Sequence, residues 1–330
     1  MIEARAFARA GLLGNPSDGY NGKTISVIIK NFGASVLLYE APELVIEDLE
    51  VDRNQYKSIH HLMDTVKQTG YYGGTRLVKA AIKRFGEYCI SEGIRIENKN
   101  FRIRYRTSIP RQVGLAGSSA IVTASMKALM KFYNVEIPLH LLPSIVLSAE
   151  IDELGINAGL QDRVIQAYEG CVYMNFDAKH LSEKGYGIYE PVKLDKLPKL
   201  YLAYKTNLSK VSGSVLNNIR ERYDAGDRVT IDTLNEIAGL ADEGKSALES
   251  SDFVTLNELI NKNFDLRCKI MNISKSNMEM VNVARNCGAS AKFSGSGGAI
   301  IGVYEDDEML RRLIVNLKQI DARVIKPILH

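Results

Sequence analysis

Residues 110–120 read Pro110-Arg111-Gln112-Val113-Gly114-Leu115-Ala116-Gly117-Ser118-Ser119-Ala120, and the fold turns on what flanks them. Upstream, Phe101, Ile103 and Tyr105 alternate with Arg102, Arg104 and Arg106, the period-two pattern of a half-exposed strand. Downstream, the chain is predominantly apolar to about Tyr133 and reads as a helix. A Gly/Ser turn between a strand and a helix suits an anion. Glycine lets the backbone turn sharply and lets phosphate oxygens approach the N–H groups. The helix N-terminus adds its partial positive charge. Ser118 and Ser119 can bind phosphate oxygens or a magnesium ion on them. A serine N-cap on an ordinary helix is the competing reading. Two glycines with two serines exceed what a cap requires.

Working outward, residues 4–13 form an apolar run that ends in Gly14-Asn15-Pro16-Ser17-Asp18-Gly19. Residues 24–29 and 34–39 read as two further strands with turn residues between them. Residues 74–91 have helical spacing, with Leu77, Ala80, Ala81, Ile82 and Phe85 on one side. Helices follow over 143–154 and, after a glycine break at 155–159, over 162–168; a strand is expected at 170–177. A polar stretch, 180–199, bridges two lobes. Then come a strand at 200–204, helices to about 286, a Gly-rich turn and strand over 292–304, and a last helix and strand. Strands and helices without regular βα alternation indicate an α+β protein. The Arg102, Arg104, Arg106 strand reads as a solvated edge.

The chain has 330 residues, 45% hydrophobic and 25% charged, enough for a substantial core. Its formal net charge of +3 is small, and Lys and Arg are dispersed among Asp and Glu, so nucleic acid is not an expected partner. Cys89, Cys171, Cys268 and Cys287 make no CxxC pair and read as buried free thiols. No histidine pair has the HxxxH spacing of a zinc helix. The first residues carry charge without an apolar signal segment, and no apolar run approaches the ~20 residues of a membrane helix. A cytoplasmic protein with no membrane partner is expected.

Two more polar clusters sit on apolar elements. Ser148-Ala149-Glu150 is followed by Gly155, Gly159 and Gln161-Asp162-Arg163. This geometry can bring Glu150 and Asp162 to one cavity, one as an oxygen ligand for magnesium, the other as acceptor for a hydroxyl proton. Two solvated surface carboxylates are the alternative. Asp162 and Arg163 point about 100° apart on a helix, so no ion pair between them is assumed. The third cluster, Lys292-Phe293-Ser294-Gly295-Ser296-Gly297-Gly298-Ala299, is a second anion-friendly turn or a plain glycine turn. A match to GxxxxGK[ST], Gly239-Leu240-Ala241-Asp242-Glu243-Gly244-Lys245-Ser246, is rejected. Its flanks have helical spacing where a strand is required, and its two acids oppose phosphate.

These clusters, in this order, resemble the GHMP kinases: galactokinase, homoserine kinase, mevalonate kinase and phosphomevalonate kinase. Residues 9–22, Arg9-Ala10-Gly11-Leu12-Leu13-Gly14-Asn15-Pro16-Ser17-Asp18-Gly19-Tyr20-Asn21-Gly22, resemble the galactokinase motif GRVNLIGEHTDYNGG. Residues 149–162 have the spacing of AExxxxGxxxGIMD. Within the family, several segments resemble the plant-type glucuronokinase group: Tyr71-Tyr72-Gly73-Gly74, Ile109-Pro110-Arg111-Gln112, Gly117-Ser118-Ser119-Ala120, Gly159-Leu160-Gln161-Asp162-Arg163, Tyr186-Gly187-Ile188-Tyr189-Glu190 and Asn263-Phe264-Asp265-Leu266-Arg267.

The resemblance implies a two-lobed fold: an ATP-binding domain over 1–190 with a mixed sheet, a ferredoxin-like domain over 191–330, and the active site between them. It implies ATP and Mg2+ as cofactors and a small sugar acid as substrate, D-glucuronate phosphorylated at its anomeric hydroxyl. Galacturonate, galactose or a heptose phosphate as acceptor, or a non-catalytic sugar sensor, are the alternatives. By the resemblance, Asp162 and Arg9 are catalytic, Asp18 binds the sugar, and Glu150 with Ser118 or Ser119 holds the metal. Gly114, Leu115, Ala116, Gly117, Ser118, Ser119 and Ala120 cradle ATP, and Gly295, Ser296 and Gly297 fold over its phosphates. Arg111 and Arg163 are the candidates for the sugar carboxylate. Tyr72 either lines the pocket or belongs to a turn before the next helix.

Two departures matter. The usual GLGSSA turn is lengthened here to GLAGSSA by Ala116, which leaves open which serine meets magnesium. Asn15-Pro16 replaces Glu-His, removing a negative charge beside the substrate, which fits an acceptor that carries its own carboxylate.

Overall fold

The computed structural model describes residues 1–47, 73–206 and 219–329. Its first sheet is organised by one long strand. β1 (Ile2–Leu13) runs antiparallel to β2 (Lys23–Ala41), and a register shift at Phe7/Ala8 absorbs the residues about Gly33. The two strands expected at 24–29 and 34–39 are therefore one, because a bulge bends a strand without ending it. β1 takes one edge of β2. The opposite edge pairs with β5 (Cys171–Asn175) along its first part and with β4 (Asn100–Thr107) along its second. β3 (Val45–Ile46) adds parallel to β4, and β6 (Ile188–Pro191) adds antiparallel to β5. The sheet is thus mixed. β4 lies between β2 and β3 and is not the edge its arginines suggested. Its charged side chains use the solvated face, not an open side.

Ala4, Ala6, Ala8 and Ala10 share one face of β1, all at most 3% exposed. Their small side chains let the core helix α2 (Gly117–Tyr133) pack closely on the sheet. Around it lie α1 (Gly74–Ser91), α3 (Leu142–Ile151) and α4 (Leu160–Tyr168). The short α5 (Ala178–Lys184) and β6 occupy the polar stretch read as a bridge.

The second sheet is made by β7 (Leu200–Lys205), β8 (Lys292–Phe293), β9 (Ala299–Val303) and β10 (Ala322–Ile325), in the order β10-β7-β9-β8 and antiparallel throughout. With helices between β7 and β8 and between β9 and β10, this is the ferredoxin-like arrangement. The helices are α6 (Ile219–Asp224), α7 (Arg228–Glu249), α8 (Phe253–Ile270), α9 (Lys275–Asn286) and α10 (Asp307–Lys318). The rejected GxxxxGK[ST] match lies wholly inside α7.

Helix starts divide into two kinds. α7, α8, α9 and α10 begin at Asp227, Asp252, Ser274 and Asp306, whose side chains accept a first-turn N–H. α2 and α4 begin at Ala116 and Gly159 without a side-chain cap. α1 and α3 also start uncapped, at Gly73 and Leu141; the starts of α2 and α4 lie at the cleft described next.

Candidate active site

β1 has an outer edge, and two glycine turns dock on it. The N–H of Arg9 donates to the carbonyl of Leu115 at 3.4 Å, and the N–H of Gly11 to that of Ser294 at 2.7 Å. These bonds bring the Gly/Ser turn of one lobe against the Gly-rich turn of the other. The side chain of Arg9 ties them further: Nη1 donates to the carbonyl oxygens of Gly114 at 2.7 Å and Ser294 at 3.0 Å. Its Nε donates to Oδ1 of Asp162 at 2.6 Å. One arginine thus links both turns to the acid at the start of α4.

Behind Asp162 the charges continue inward. Arg163 donates through Nε to Oε2 of Glu150 at 2.7 Å, and its Nη2 meets the same oxygen. Its Nη1 donates to the carbonyl of Gly159 at 2.8 Å and lies 3.6 Å from Oδ2 of Asp162. The result is a chain Glu150–Arg163–Asp162–Arg9. Two expectations are corrected. Arg163 contacts Asp162, because the long guanidinium folds back toward the helix start, beyond the reach implied by its Cα direction. Arg163 is also committed to Glu150 and is not available to a substrate carboxylate; both partners are buried. Oε1 of Glu150 stays buried without a hydrogen-bond partner among the described residues.

Burial works to raise the pKa of Asp162, but Arg9 and Arg163 outweigh it and hold the carboxyl below its usual value. Asp162 is therefore ionised at neutral pH, while its side chain remains 21% exposed to the cleft. Asp18 shows the opposite balance. Burial and the neighbouring charge of Asp162 raise it to about 6, against the pull of Arg9. Its carboxylate lies against Gly159, where a Cβ would come within 2.8 Å of Oδ2.

At the Gly/Ser turn, Ala116 adopts a left-handed conformation at φ 60°. The hydroxyl of Ser119 is buried and donates back to the carbonyl of Ala116 at 3.1 Å, whereas Ser118 is half-buried at the first turn of α2. Gln166 donates to the same carbonyl at 2.9 Å. Arg111 is exposed on the approach to the turn, and Tyr72 lies outside the described residues. Asn15 is buried; its Oδ1 accepts from Nζ of Lys292, and its carbonyl accepts from Asn263 at 3.2 Å.

Lys292, Asn263 and Arg267 were not singled out individually by sequence reasoning. Lys292 is buried, and its Nζ also donates to the carbonyl oxygens of Gly11 at 2.7 Å and Phe293 at 3.0 Å. Burial, reinforced by Arg267 and Arg9, pulls its pKa well down. Asn263 accepts from the N–H of Gly14 at 2.8 Å, fastening α8 to the Asp18 turn. The available signal was polar residues one helical turn apart on the inner face of α8, Asn263 and Arg267.

The approach of the two turns makes Gly295 sensitive. A Cβ there would lie 2.4 Å from the carbonyl oxygen of Gly114 and 2.9 Å from Nη1 of Arg9. Gly295→Ala is expected to push the turns apart, lowering kcat about 10²-fold with a stability loss of about 1–3 kcal/mol. Steady-state kinetics beside a urea melt checks this, and unchanged kcat would show that the turns need not touch.

An ionised acid, held by an arginine between two backbone-lined turns, is the apparatus of a phosphotransferase acting on a hydroxyl. The family profile for the GHMP kinases N terminal domain matches residues 76–170, and that for the GHMP kinases C terminal domain matches 245–319. The chain belongs to the GHMP kinase family. It is 48% identical to Glucuronokinase 1 of Arabidopsis thaliana over 306 residues, covering 91% of this chain and 84% of that one. Probable glucuronokinase 2 of the same plant is 47% identical over 308 residues, with the same coverage of each chain. Among solved structures, Streptococcus pneumoniae phosphomevalonate kinase, in complex with phosphomevalonate and AMPPNP, has a similar fold. Its TM-score is 0.75 at 16% identity, covering 99% of this chain and 100% of that one. Methanococcus jannaschii mevalonate kinase gives 0.73 at 18% identity, covering 99% and 98%. No helix among the described residues is long and apolar enough to cross a membrane.

Proposed function

We propose that the protein transfers the γ-phosphate of ATP to the anomeric hydroxyl of D-glucuronate, giving glucuronate 1-phosphate and ADP. The observation that carries the chemistry is the Arg9–Asp162 contact at 2.6 Å, anchored to both glycine turns. The similarity to the two plant glucuronokinases supports the acceptor. In this reading residues 1–190 form the ATP-binding domain and 191–330 the second, with the reaction between them.

The phosphates lie along residues 114–120 at the uncapped start of α2, where backbone N–H groups and the helix end favour negative charge. Gly295, Ser296 and Gly297 cover them from the other lobe. Arg9 stabilises charge on the phosphoryl group in transfer. Asp162 orients the anomeric hydroxyl and accepts its proton; because that hydroxyl is more acidic than an ordinary alcohol, the low pKa of Asp162 suffices. The buried, unpartnered Oε1 of Glu150 suits a hard cation. Glu150 and Ser118 would hold magnesium, with Ser119 turned into its own helix. The ion would neutralise phosphate charge.

Asp18 binds sugar hydroxyls as an anion. With its pKa near 6, kcat/KM is expected to fall as pH drops through about 6, and Asp18→Asn to flatten that limb while lowering the plateau. The sign for stability is the reverse. A carboxyl raised from 3.8 to about 6 on folding favours the folded state at low pH, and that contribution is lost as pH rises through 6. A pH–rate profile of both proteins checks this; an acid limb that persists in Asp18→Asn assigns it elsewhere.

The function is tested by ADP release with magnesium, ATP and a panel of D-glucuronate, D-galacturonate and D-galactose, with phosphorus NMR of the product. Glucuronate should be turned over fastest, to an anomeric phosphate. Turnover of galactose at the same rate would overturn the choice of acceptor.

A further inference from the structure

α8 brings a buried guanidinium to the cleft that phosphoryl transfer leaves unused. Arg267 is 2% exposed. Its Nη2 donates to the carbonyl of Gly295 at 3.0 Å, its Nε points at the sulfur of Met271 at 3.0 Å, and its plane packs over Phe293. Its Nη1 is buried and has no acceptor among the described residues. Leaving a buried donor unpaired is costly, and more so when the group is charged. Burial lowers its pKa to about 10, with Asp18 opposing and Arg9 assisting, so it stays cationic at neutral pH.

The neighbouring charges show what is lacking. Arg9 is matched by Asp162, and Arg163 by Glu150. Arg267 and Lys292 meet a thioether and neutral oxygens. Asp18 is the carboxylate whose field reaches both, and it is also the one that burial pushes toward the neutral form. Among the described residues, no carboxylate contacts the cationic Arg267 on the α8 side of the cleft. A neutral hexose supplies no anion there; a uronic acid does, and a guanidinium fork matches a carboxylate.

We infer that Arg267 is the specificity-determining residue for the acceptor, its free Nη1 receiving the substrate carboxylate. This rests on the sugar-acid reading above. It moves the carboxylate contact from Arg111 and Arg163 to α8, and it makes Asn263 and Lys292 the groups that hold the Asp18 turn opposite. A site with a buried donor dedicated to one group rejects the analogue that lacks it, because the donor is then left unpaired.

The test uses the full chain with Arg267→Lys, which keeps the charge, and Arg267→Gln, which keeps much of the volume. kcat and KM are measured for D-glucuronate and for D-glucose, its counterpart without the carboxylate, together with KM for ATP. Thermal shift by glucuronate alone is recorded in parallel. Arg267→Gln is expected to lower kcat/KM for glucuronate about 100-fold or more, chiefly through KM, and to collapse the preference over glucose. Arg267→Lys should recover part of it, with KM for ATP holding in both. Equal losses for both sugars, a rise confined to KM for ATP, or no change overturns the inference. Wild-type protein that glucuronate stabilises without turnover ends the kinase reading alone, and the shift in the variants still decides the Arg267 contact. Wild-type protein that glucuronate neither stabilises nor engages in turnover ends both.

Discussion

Asp162→Asn is expected to reduce turnover by about 10³–10⁴-fold while leaving the fold and ATP binding in place. The amide keeps an oxygen for Nε of Arg9, so the contact survives as a guanidinium-to-amide hydrogen bond and both glycine turns stay anchored. What disappears is the negative charge. An amide cannot take the proton of the acceptor hydroxyl, and Arg9 then faces the transferred phosphoryl without its carboxylate partner. ATP affinity should hold or rise slightly, because phosphate gains the unneutralised field of Arg9. The measurements are ADP release under saturating substrates, calorimetric titration with ATP, and Tm. A variant that keeps more than about a tenth of the wild-type rate removes Asp162 from proton transfer, since a group of that kind supplies at least 10². Loss of ATP binding along with activity would point to a structural role.

Arg163→Met should lower stability by about 3–5 kcal/mol, the usual consequence of leaving one member of a buried ion pair. Glu150 has no exposure to solvent, and Oε2 receives both of its donors from Arg163. Methionine fills much of the volume and offers no donor, so the carboxylate must stay charged in an apolar setting or take up a proton. The loss should therefore shrink at acid pH, where protonation is easier. The double variant Glu150→Gln, Arg163→Met removes the charge as well and should regain much of the loss. Urea midpoints at constant slope report the change, and the double-mutant cycle isolates the pair. A single variant that loses less than about 1 kcal/mol would mean that water reaches Glu150.

Much of the architecture can be read from the chain, and the reasons are local. Glycines at 114 and 117, a strand before them and an apolar run after them leave the backbone few choices. The helices of the second lobe carry Asp227, Asp252, Ser274 and Asp306 as caps one residue before they begin. Alternation failed where two signals competed. The residues about Gly33 read as a turn, yet β2 runs through them because its residues 30–32 bulge out of the pairing with β1 and β4 continues the pairing. The arginines of β4 read as an edge because alternation reports which face is wet and says nothing about what lies to either side.

The candidate site divides in the same way. Arg9, Asp18, Glu150 and Asp162 could be picked out because family motifs carry them. Arg267 and Lys292 stood inside quoted segments without a role of their own, since a lone arginine on a helix and a lone lysine before a glycine turn are ordinary surface residues until packing covers them. The assignment of Arg163 to the substrate failed for the same reason: nothing nearby in sequence announces that Glu150 will claim it.

The sequence by itself determined the segments, the two glycine turns and the family they belong to, because each depends on backbone preferences and spacing within a few residues. The tertiary structure alone decided which charges meet: Arg9 with Asp162, Arg163 with Glu150, and Arg267 with no acceptor for Nη1 among the described residues. Those pairings join residues far apart in the chain, and a buried charge takes its partner from whatever the packed core brings within hydrogen-bond distance.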